Sequence, residues 1–199
     1  MSDQSERPLV YIVDDDADLG ASLARLLRRA GFAAEPFLDP EQLLDAYAAA
    51  PADCIVTDVM MGEMDGFAFA DRLRAMDRAA AIIFMTAWPS TSSAVDSIRL
   101  YGGIDYLEKP VDEVRFVTAV AEGIEWSGKR RAKLARTARL TPRERDVFAL
   151  LVRGLSNKAI AAELNLSPKT VEDHRANIST KTGTSGLAQL ISLADGAFD

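Results

Sequence analysis

An α/β doubly wound five-stranded parallel sheet followed by a small all-α domain is the architecture this sequence predicts, and three observations predict it. Short apolar runs alternate with segments of helical period five times between residues 9 and 124, the rhythm of strand–helix–strand crossovers. From Leu140 onward the strand pattern stops and four short helical segments follow. The charge divides at nearly the same place. Residues 1–122 hold 22 Asp/Glu against 10 Lys/Arg, a net of −12; residues 123–199 hold 8 against 13, a net of +5; together they give the −7 of the 199-residue chain. A split of that size predicts two domains with different partners, over residues 1–124 and 140–199, joined by a basic linker over 125–139.

Leu9-Val10-Tyr11-Ile12-Val13 is continuously apolar, as a strand buried on both faces must be, and it ends in Asp14-Asp15-Asp16. Leu19, Leu23, Leu26, Leu27 and Ala30 then recur at helical spacing until Gly31 stops them. Ala33 to Phe37 is a weak strand, and a helix runs from Pro40 to about Ala50, closed by Pro51. Cys54 to Asp58 is the third strand; Phe67, Phe69, Ala70 and Leu73 mark the helix after it. Ala81 to Thr86 is the fourth strand, Ser90 to Leu100 a more polar helix, and Ile104 to Leu107 a short fifth strand before Glu108-Lys109-Pro110. Val111, Val114, Val117, Val120 and Ile124 give the last helix of this half. The basic stretch from Glu125 to Arg139 carries no apolar stripe beyond Trp126 and Leu134, hence its reading as a linker or a frayed helical extension. In the second half, Thr141-Pro142-Arg143-Glu144 is a capping box with proline at the first helical position. Gly154 ends that helix, Ser156 to Leu164 makes a second, Ser167-Pro168 caps a third that Gly183 stops, and Leu187, Leu190, Ile191 and Leu193 mark a fourth.

Composition narrows the setting. A lone cysteine, Cys54, cannot form an internal disulfide and predicts a reducing, cytoplasmic compartment. Met1 to Pro8 is polar and acidic, without the apolar core of a signal peptide. No apolar run approaches the roughly 20 residues that cross a bilayer, so no membrane partner is expected.

In a doubly wound sheet the ligand sits at the carboxyl ends of the strands. Reading only those ends collects Asp14, Asp15, Asp58, Thr86 and Lys109. Three acids together repel unless a cation joins them. Magnesium is the fitting one, since it takes one or two carboxylates and leaves positions for waters and phosphate oxygens. A carboxylate nucleophile, a divalent cation, a cationic clamp and a hydroxyl donor are the parts of phosphoryl transfer to an aspartate. Singly, each residue has an ordinary structural explanation; their convergence from four strands carries the functional one.

Val13-Asp14-Asp15, Val56-Thr57-Asp58, Thr86-Ala87 and Glu108-Lys109-Pro110 resemble the receiver domain of two-component response regulators, over roughly residues 8–122. The resemblance implies a flavodoxin-like fold with Asp58 as phosphoacceptor. It implies magnesium held by Asp14, Asp15, Asp58 and the backbone carbonyl of Met60, with Thr86 and Lys109 on the phosphoryl group. It further implies a cis bond between Lys109 and Pro110, and makes Tyr106 the aromatic switch that turns inward with Thr86. Asp16 is read as a solvated neighbour. The sequence departs from the family at Gly62, where proline is usual, at Ala87-Trp88-Pro89, and at Arg99 to Gly103, which reads one residue long on a surface that commonly dimerises.

The second and third short helices, joined by Asn165-Leu166-Ser167, read as a helix-turn-helix. With Val171 and Ile178 facing the core, Lys169, Glu172, Asp173, Ala176, Asn177 and Thr180 face outward toward a major groove. Lys158, Lys169, Arg175 and Lys181 are placed to meet phosphates. Glu172 and Asp173 suit cytosine amino groups and Asn177 suits adenine, with Thr170 beside them. Leu140 to Glu144, Gly154 to Ala161 and Ser167 to Arg175 resemble the LuxR-type DNA-binding domain, over about residues 140–195. In that family the last helix often pairs two copies, which leaves Leu187, Leu190 and Ile191 as either dimer contacts or core cover.

Together the halves resemble a NarL/FixJ-type response regulator, which implies a sensor histidine kinase as phosphodonor, promoter DNA as target and homodimerisation on activation. His174 is the single histidine, so the donor is another protein. The competing expectation is a transcription factor that uses the first domain only for docking or dimerisation, independent of phosphorylation. An enzymatic reading, an aspartate-dependent phosphohydrolase, needs a second acid two residues past the nucleophile, and that position is Met60.

Overall fold

Leu9–Val13 forms β1, and the rest of the first half is ordered around it. The computed structural model describes residues 7–194; residues 1–6 and 195–199, and with them most of the polar N-terminal stretch, lie outside the described part. The other strands are β2 (Ala33–Phe37), β3 (Cys54–Asp58), β4 (Ala81–Thr86) and β5 (Asp105–Glu108). All pair in parallel, in the order β2-β1-β3-β4-β5. The helices between them are α1 (Ala17–Arg29), α2 (Pro40–Ala49), α3 (Gly66–Met76) and α4 (Thr91–Arg99). The chain moves outward from β1 to β2, then returns to place β3 on β1's other side. That reversal opens a crevice at the carboxyl ends of β1 and β3.

Both sheet faces are buried, which is why the strands read as unbroken apolar runs. Val10, Ile12, Val56 and Ile83 pack on one side with Leu23, Leu27, Phe116 and Val120. Tyr11, Val13, Ile55, Ile82 and Phe84 pack on the other with Leu43, Tyr47, Phe69 and Leu73. Residues two apart share a face, as the strand pleat requires. Asp16 is the N-cap of α1, accepting from the backbone N–H of Asp18 and Leu19, so its place is structural rather than merely solvated.

The stretch expected as a linker or a frayed helical extension is helical and continues α5 (Glu113–Ala138). Its Lys, Arg, Ala and Leu content favours helix without an apolar stripe. Trp126 packs at the edge of the first sheet core, and Ser127 donates its hydroxyl to the Ala79 carbonyl at 2.8 Å. The chain divides into two compact units between Gly128 and Lys129, inside that helix.

In the second unit, α6 (Pro142–Val152), α7 (Asn157–Leu164), α8 (Pro168–Thr182) and α9 (Leu187–Ala194) enclose a core of Val147, Phe148, Leu151, Ile160, Val171, Ile178, Leu190 and Leu193. The Thr141–Glu144 capping box starts α6. Asn165, at φ 53°, makes the tight turn from α7 to α8, a left-handed conformation that asparagine tolerates better than most residues. Leu190 lies in the core, whereas Leu187 and Ile191 are exposed. No helix among the described residues is long and apolar enough to cross a membrane.

Candidate functional site

β3 carries Asp58 to the crevice as its last residue, and β1 delivers Asp14 one residue past its end. Asp14 is fully buried and Asp58 is 6 % exposed, whereas Asp15 faces solvent. Carboxylate oxygens of the three lie within 4.8 Å of one another. From the far side of β4, the loop after β5 sends Lys109 across, its Nζ donating to Asp14 Oδ2 at 2.7 Å and to Asp58 Oδ2 at 2.8 Å. The Lys109–Pro110 bond is cis, as the resemblance implies.

The balance of these charges is uneven. Burial raises the Asp14 pKa, and Lys109 together with the Asp16 N–H only partly offsets it, with Asp58 adding to the rise. Burial also disfavours the Lys109 ammonium, but its bonds to Asp14 and Asp58 outweigh this and raise its pKa. One ammonium thus serves two carboxylates, with a third, Asp15, beside them. The donor set is all oxygen, partly open to solvent through Asp15, and fits a hard divalent cation such as magnesium.

The loop behind Asp58 is held by backbone contacts. The Met60 N–H donates to Asp58 Oδ1 at 3.3 Å, and the Met60 side chain points into solvent, 62 % exposed. Gly66, at the start of α3, donates its N–H to the Val59 carbonyl at 3.0 Å. A Cβ at Gly66 would stand 2.2 Å from the Asp58 carbonyl oxygen, so only glycine lets the helix approach the Asp58 backbone this closely. At Gly62 a side chain would meet nothing within 4 Å.

Thr86, the last residue of β4, is buried, and its hydroxyl accepts from the Trp88 N–H at 3.1 Å. Trp88 itself is 79 % exposed. Tyr106 lies on β5, its ring against the second sheet core and its hydroxyl buried with no hydrogen-bond partner among the described residues. Thr86 and Tyr106 therefore sit on adjacent strands, but neither engages the carboxylates.

On α8, Lys169, Glu172, Asp173, Arg175, Ala176 and Asn177 are exposed, while Val171 and Ile178 are buried, as the helical spacing predicts. Lys158 is exposed on α7. The local partners were not legible in the sequence. Lys169 pairs with Asp173 at 3.3 Å and Glu172 at 3.7 Å, and Arg175 reaches Asn157 Oδ1 at 2.5 Å. The Thr170 hydroxyl bonds to Ser167 at 2.8 Å. Lys181 departs from expectation: its ammonium lies on both Glu144 carboxylate oxygens, at 2.9 and 2.7 Å, rather than facing outward for phosphate. Burial acts to raise the Glu144 pKa, but Lys181 and Thr141 prevail and lower it. The capping box pointed to Glu144 only as a helix start.

Comparison with known proteins agrees with this layout. Residues 10–121 match the response regulator receiver domain, and residues 138–194 match the luxR family of bacterial regulatory proteins. The transcriptional regulatory protein FixJ of Bradyrhizobium diazoefficiens is 38 % identical over 192 residues, covering 93 % of each chain. The tetrathionate response regulatory protein TtrR of Salmonella typhimurium is 29 % identical, over 92 % of this chain and 89 % of its own. Among solved structures, full-length FixJ from B. japonicum superposes with a TM-score of 0.57 at 37 % identity, covering 96 % of this chain and 97 % of that one. The response regulator StyR gives 0.55 at 32 % identity, over 95 % and 98 %.

Proposed function

Because the chain belongs to the transcriptional response regulators that join a receiver to a LuxR-type DNA-binding domain, we propose that Asp58 takes a phosphoryl group from a kinase histidine and that this event drives α8 onto promoter DNA. The observation that carries the reading is the shared lysine: Lys109 bridges Asp14 and Asp58 at the one sheet edge where the chain reverses.

An Asp58 carboxylate oxygen attacks phosphorus, the P–O bond forms as the P–N bond to the donor imidazole breaks, and the leaving imidazole keeps the electron pair. Lys109 exchanges its bond to Asp58 for one to a phosphoryl oxygen, which retains its charge at the site. Thr86 turns its hydroxyl from the Trp88 N–H toward the same group. Tyr106 moves into the space Thr86 vacates, giving its orphaned hydroxyl a route to a partner. Asp14, Asp15 and Asp58, with the Met60 carbonyl, would hold magnesium, whose charge would neutralise phosphoryl oxygens.

Residues 1–124 then act as receiver and 140–199 as the DNA-binding part, joined through the helical stretch 125–139. The surface of α4 and β5, with exposed Val95 and Ile98, and the outer face of α9, with Leu187 and Ile191, are the apolar areas offered to a second copy. On DNA, Lys158, Lys169 and Arg175 meet phosphates while Glu172, Asp173, Ala176 and Asn177 face base edges. A kinase donor and a chromosomal target set the reaction in the cytoplasm.

Incubation with magnesium and acetyl phosphate, followed by intact mass, tests the acceptor. The wild-type chain gains one phosphoryl group and Asp58→Asn gains none; uptake by Asp58→Asn would assign the acceptor elsewhere.

A further inference from the structure

Two cations in the second unit point inward, and both hold the same end of the same helix. Lys181, in the last turn of α8, grips the buried Glu144 at the start of α6, 37 residues away. Arg136, near the end of α5, donates Nε to the Thr182 carbonyl at 2.6 Å and Nη2 to the Gly183 carbonyl at 3.4 Å. Those are carbonyls of the kind a helix end leaves unpaired, and a guanidinium also suits the negative end of the helix dipole. Glu144 is 3 % exposed, and its Oε2 also accepts the Thr141 N–H at 2.8 Å, so the carboxylate is saturated by its own domain.

We propose that Glu144, Lys181 and Arg136 form a clamp that sets the angle of α8 on DNA, so that Lys181 and Arg136 govern DNA affinity by positioning and without touching phosphate. The outward residues Lys169, Glu172, Asp173, Ala176 and Asn177 all precede the clamp on one rigid helix. At about 1.5 Å rise per residue, Ala176 lies roughly 7.5 Å along the axis from Lys181. A small rotation at the clamped end therefore swings each of them relative to a base edge. Hydrogen bonds to bases tolerate little such displacement. Sequence alone places Lys181 among residues facing phosphates and Arg136 in a basic linker; the structure gives both an intramolecular partner.

The proposal rests on α8 being the DNA-facing helix, and one salt series separates the two ideas. The probe is a duplex enriched from a random-sequence pool by the full wild-type chain carrying beryllofluoride as phosphoryl mimic. Removing one side chain that meets a phosphate flattens the plot of log affinity against log salt by about 0.9. Lys169→Ala flattens it by that amount. Lys181→Met, Arg136→Gln and Glu144→Gln each weaken binding roughly tenfold, the scale of one misplaced base contact, with the slope unchanged. Lys181→Arg, which keeps the charge on Glu144, retains most of the affinity. A flattened slope in Lys181→Met or Arg136→Gln, or tighter binding by Glu144→Gln, overturns the clamp. An unchanged slope in Lys169→Ala overturns the reading of α8 instead. Arg136→Gln leaves the buried Glu144 paired and carries the test if Lys181→Met fails to fold.

Discussion

Among the described residues two carboxylate–lysine clusters have buried acids, and they differ in stoichiometry. In the crevice, Lys109 is shared between Asp14 and Asp58, with Asp15 close by. In the helical unit, Lys181 serves Glu144 alone, through both carboxylate oxygens. The consequences for acidity run in opposite directions: burial raises the pKa of Asp14, while that of Glu144 is lowered because its partners overcome its own desolvation. A balanced pair is satisfied and holds two helices together. An excess of acid stores an unmet demand for positive charge, which a divalent cation can meet and a transferred phosphoryl group can exploit.

The sharpest way to break this comparison is to remove each lysine. Lys181→Met strands a buried carboxylate, and such a loss costs about 3–5 kcal/mol of stability. Lys109→Met also leaves buried acid unpaired, but at a site whose three carboxylates fit a divalent cation. Urea midpoints measured with and without magnesium should therefore diverge: the ion restores much of the stability of Lys109→Met and none of that of Lys181→Met. Equal behaviour in magnesium would mean that the two clusters are alike and the excess of acid has no ionic use.

A smaller effect is expected at Gly66. Its missing Cβ is what lets α3 close over the Asp58 backbone. Gly66→Ala forces α3 and that backbone apart, at an overpacking cost of about 1–3 kcal/mol. Since Asp58 moves with its carbonyl, phosphoryl uptake from acetyl phosphate should slow by more than the stability loss explains. A variant that keeps the wild-type uptake rate would show that the crevice tolerates the shift.

The pH dependence sharpens the comparison further, because its sign differs between the clusters. Glu144 has a lowered folded-state pKa, so its contribution is fully present above the unfolded value of 4.5 and is lost as pH falls through the lowered one. The stability advantage of wild type over Glu144→Gln should be flat near neutrality and shrink only under acid. Asp14 has a raised folded-state pKa, so the folded protein binds more protons than the unfolded chain above 3.8, and stability falls as pH rises through that window. Asp14→Asn should therefore be more stable than wild type at neutral pH without magnesium, the opposite of Glu144→Gln. Thermal unfolding at a series of pH values measures both, and a destabilised Asp14→Asn would contradict the assigned excess of acid.

The crevice was readable from sequence because strands in a doubly wound sheet end at one edge. Finding the last residue of each run placed Asp14, Asp58, Thr86 and Lys109 together without knowing a single distance. The helical unit offered no such common edge. Periodicity put Val171 and Ile178 inward and Lys169 and Asn177 outward, but it says nothing of which residue on another helix lies beside Lys181. Glu144 read as a capping residue because that local role is complete in four residues, whereas its bond to Lys181 spans 37. The stretch 125–139 left linker and helical extension both open for a related reason: it lacks the apolar stripe by which helices are recognised, although its composition favours one. Nothing in the sequence pattern marks the tight fit at Gly66, because a close backbone approach leaves no periodicity to read.

The smallest stability effect expected is at Lys169, and it isolates function from folding. Its partners Asp173 and Glu172 are exposed with it on the surface of α8. An exposed pair of this kind is screened by water and contributes little, so Lys169→Ala should leave the urea midpoint nearly unmoved. The loss should instead appear in DNA binding, as a flatter salt dependence and a weakening shared across duplex sequences, because a phosphate contact carries no base information. If Lys169→Ala changes which sequences are enriched rather than how tightly all of them bind, then Lys169 reads bases. Asp173 and Glu172 would in that case be the residues that aim it.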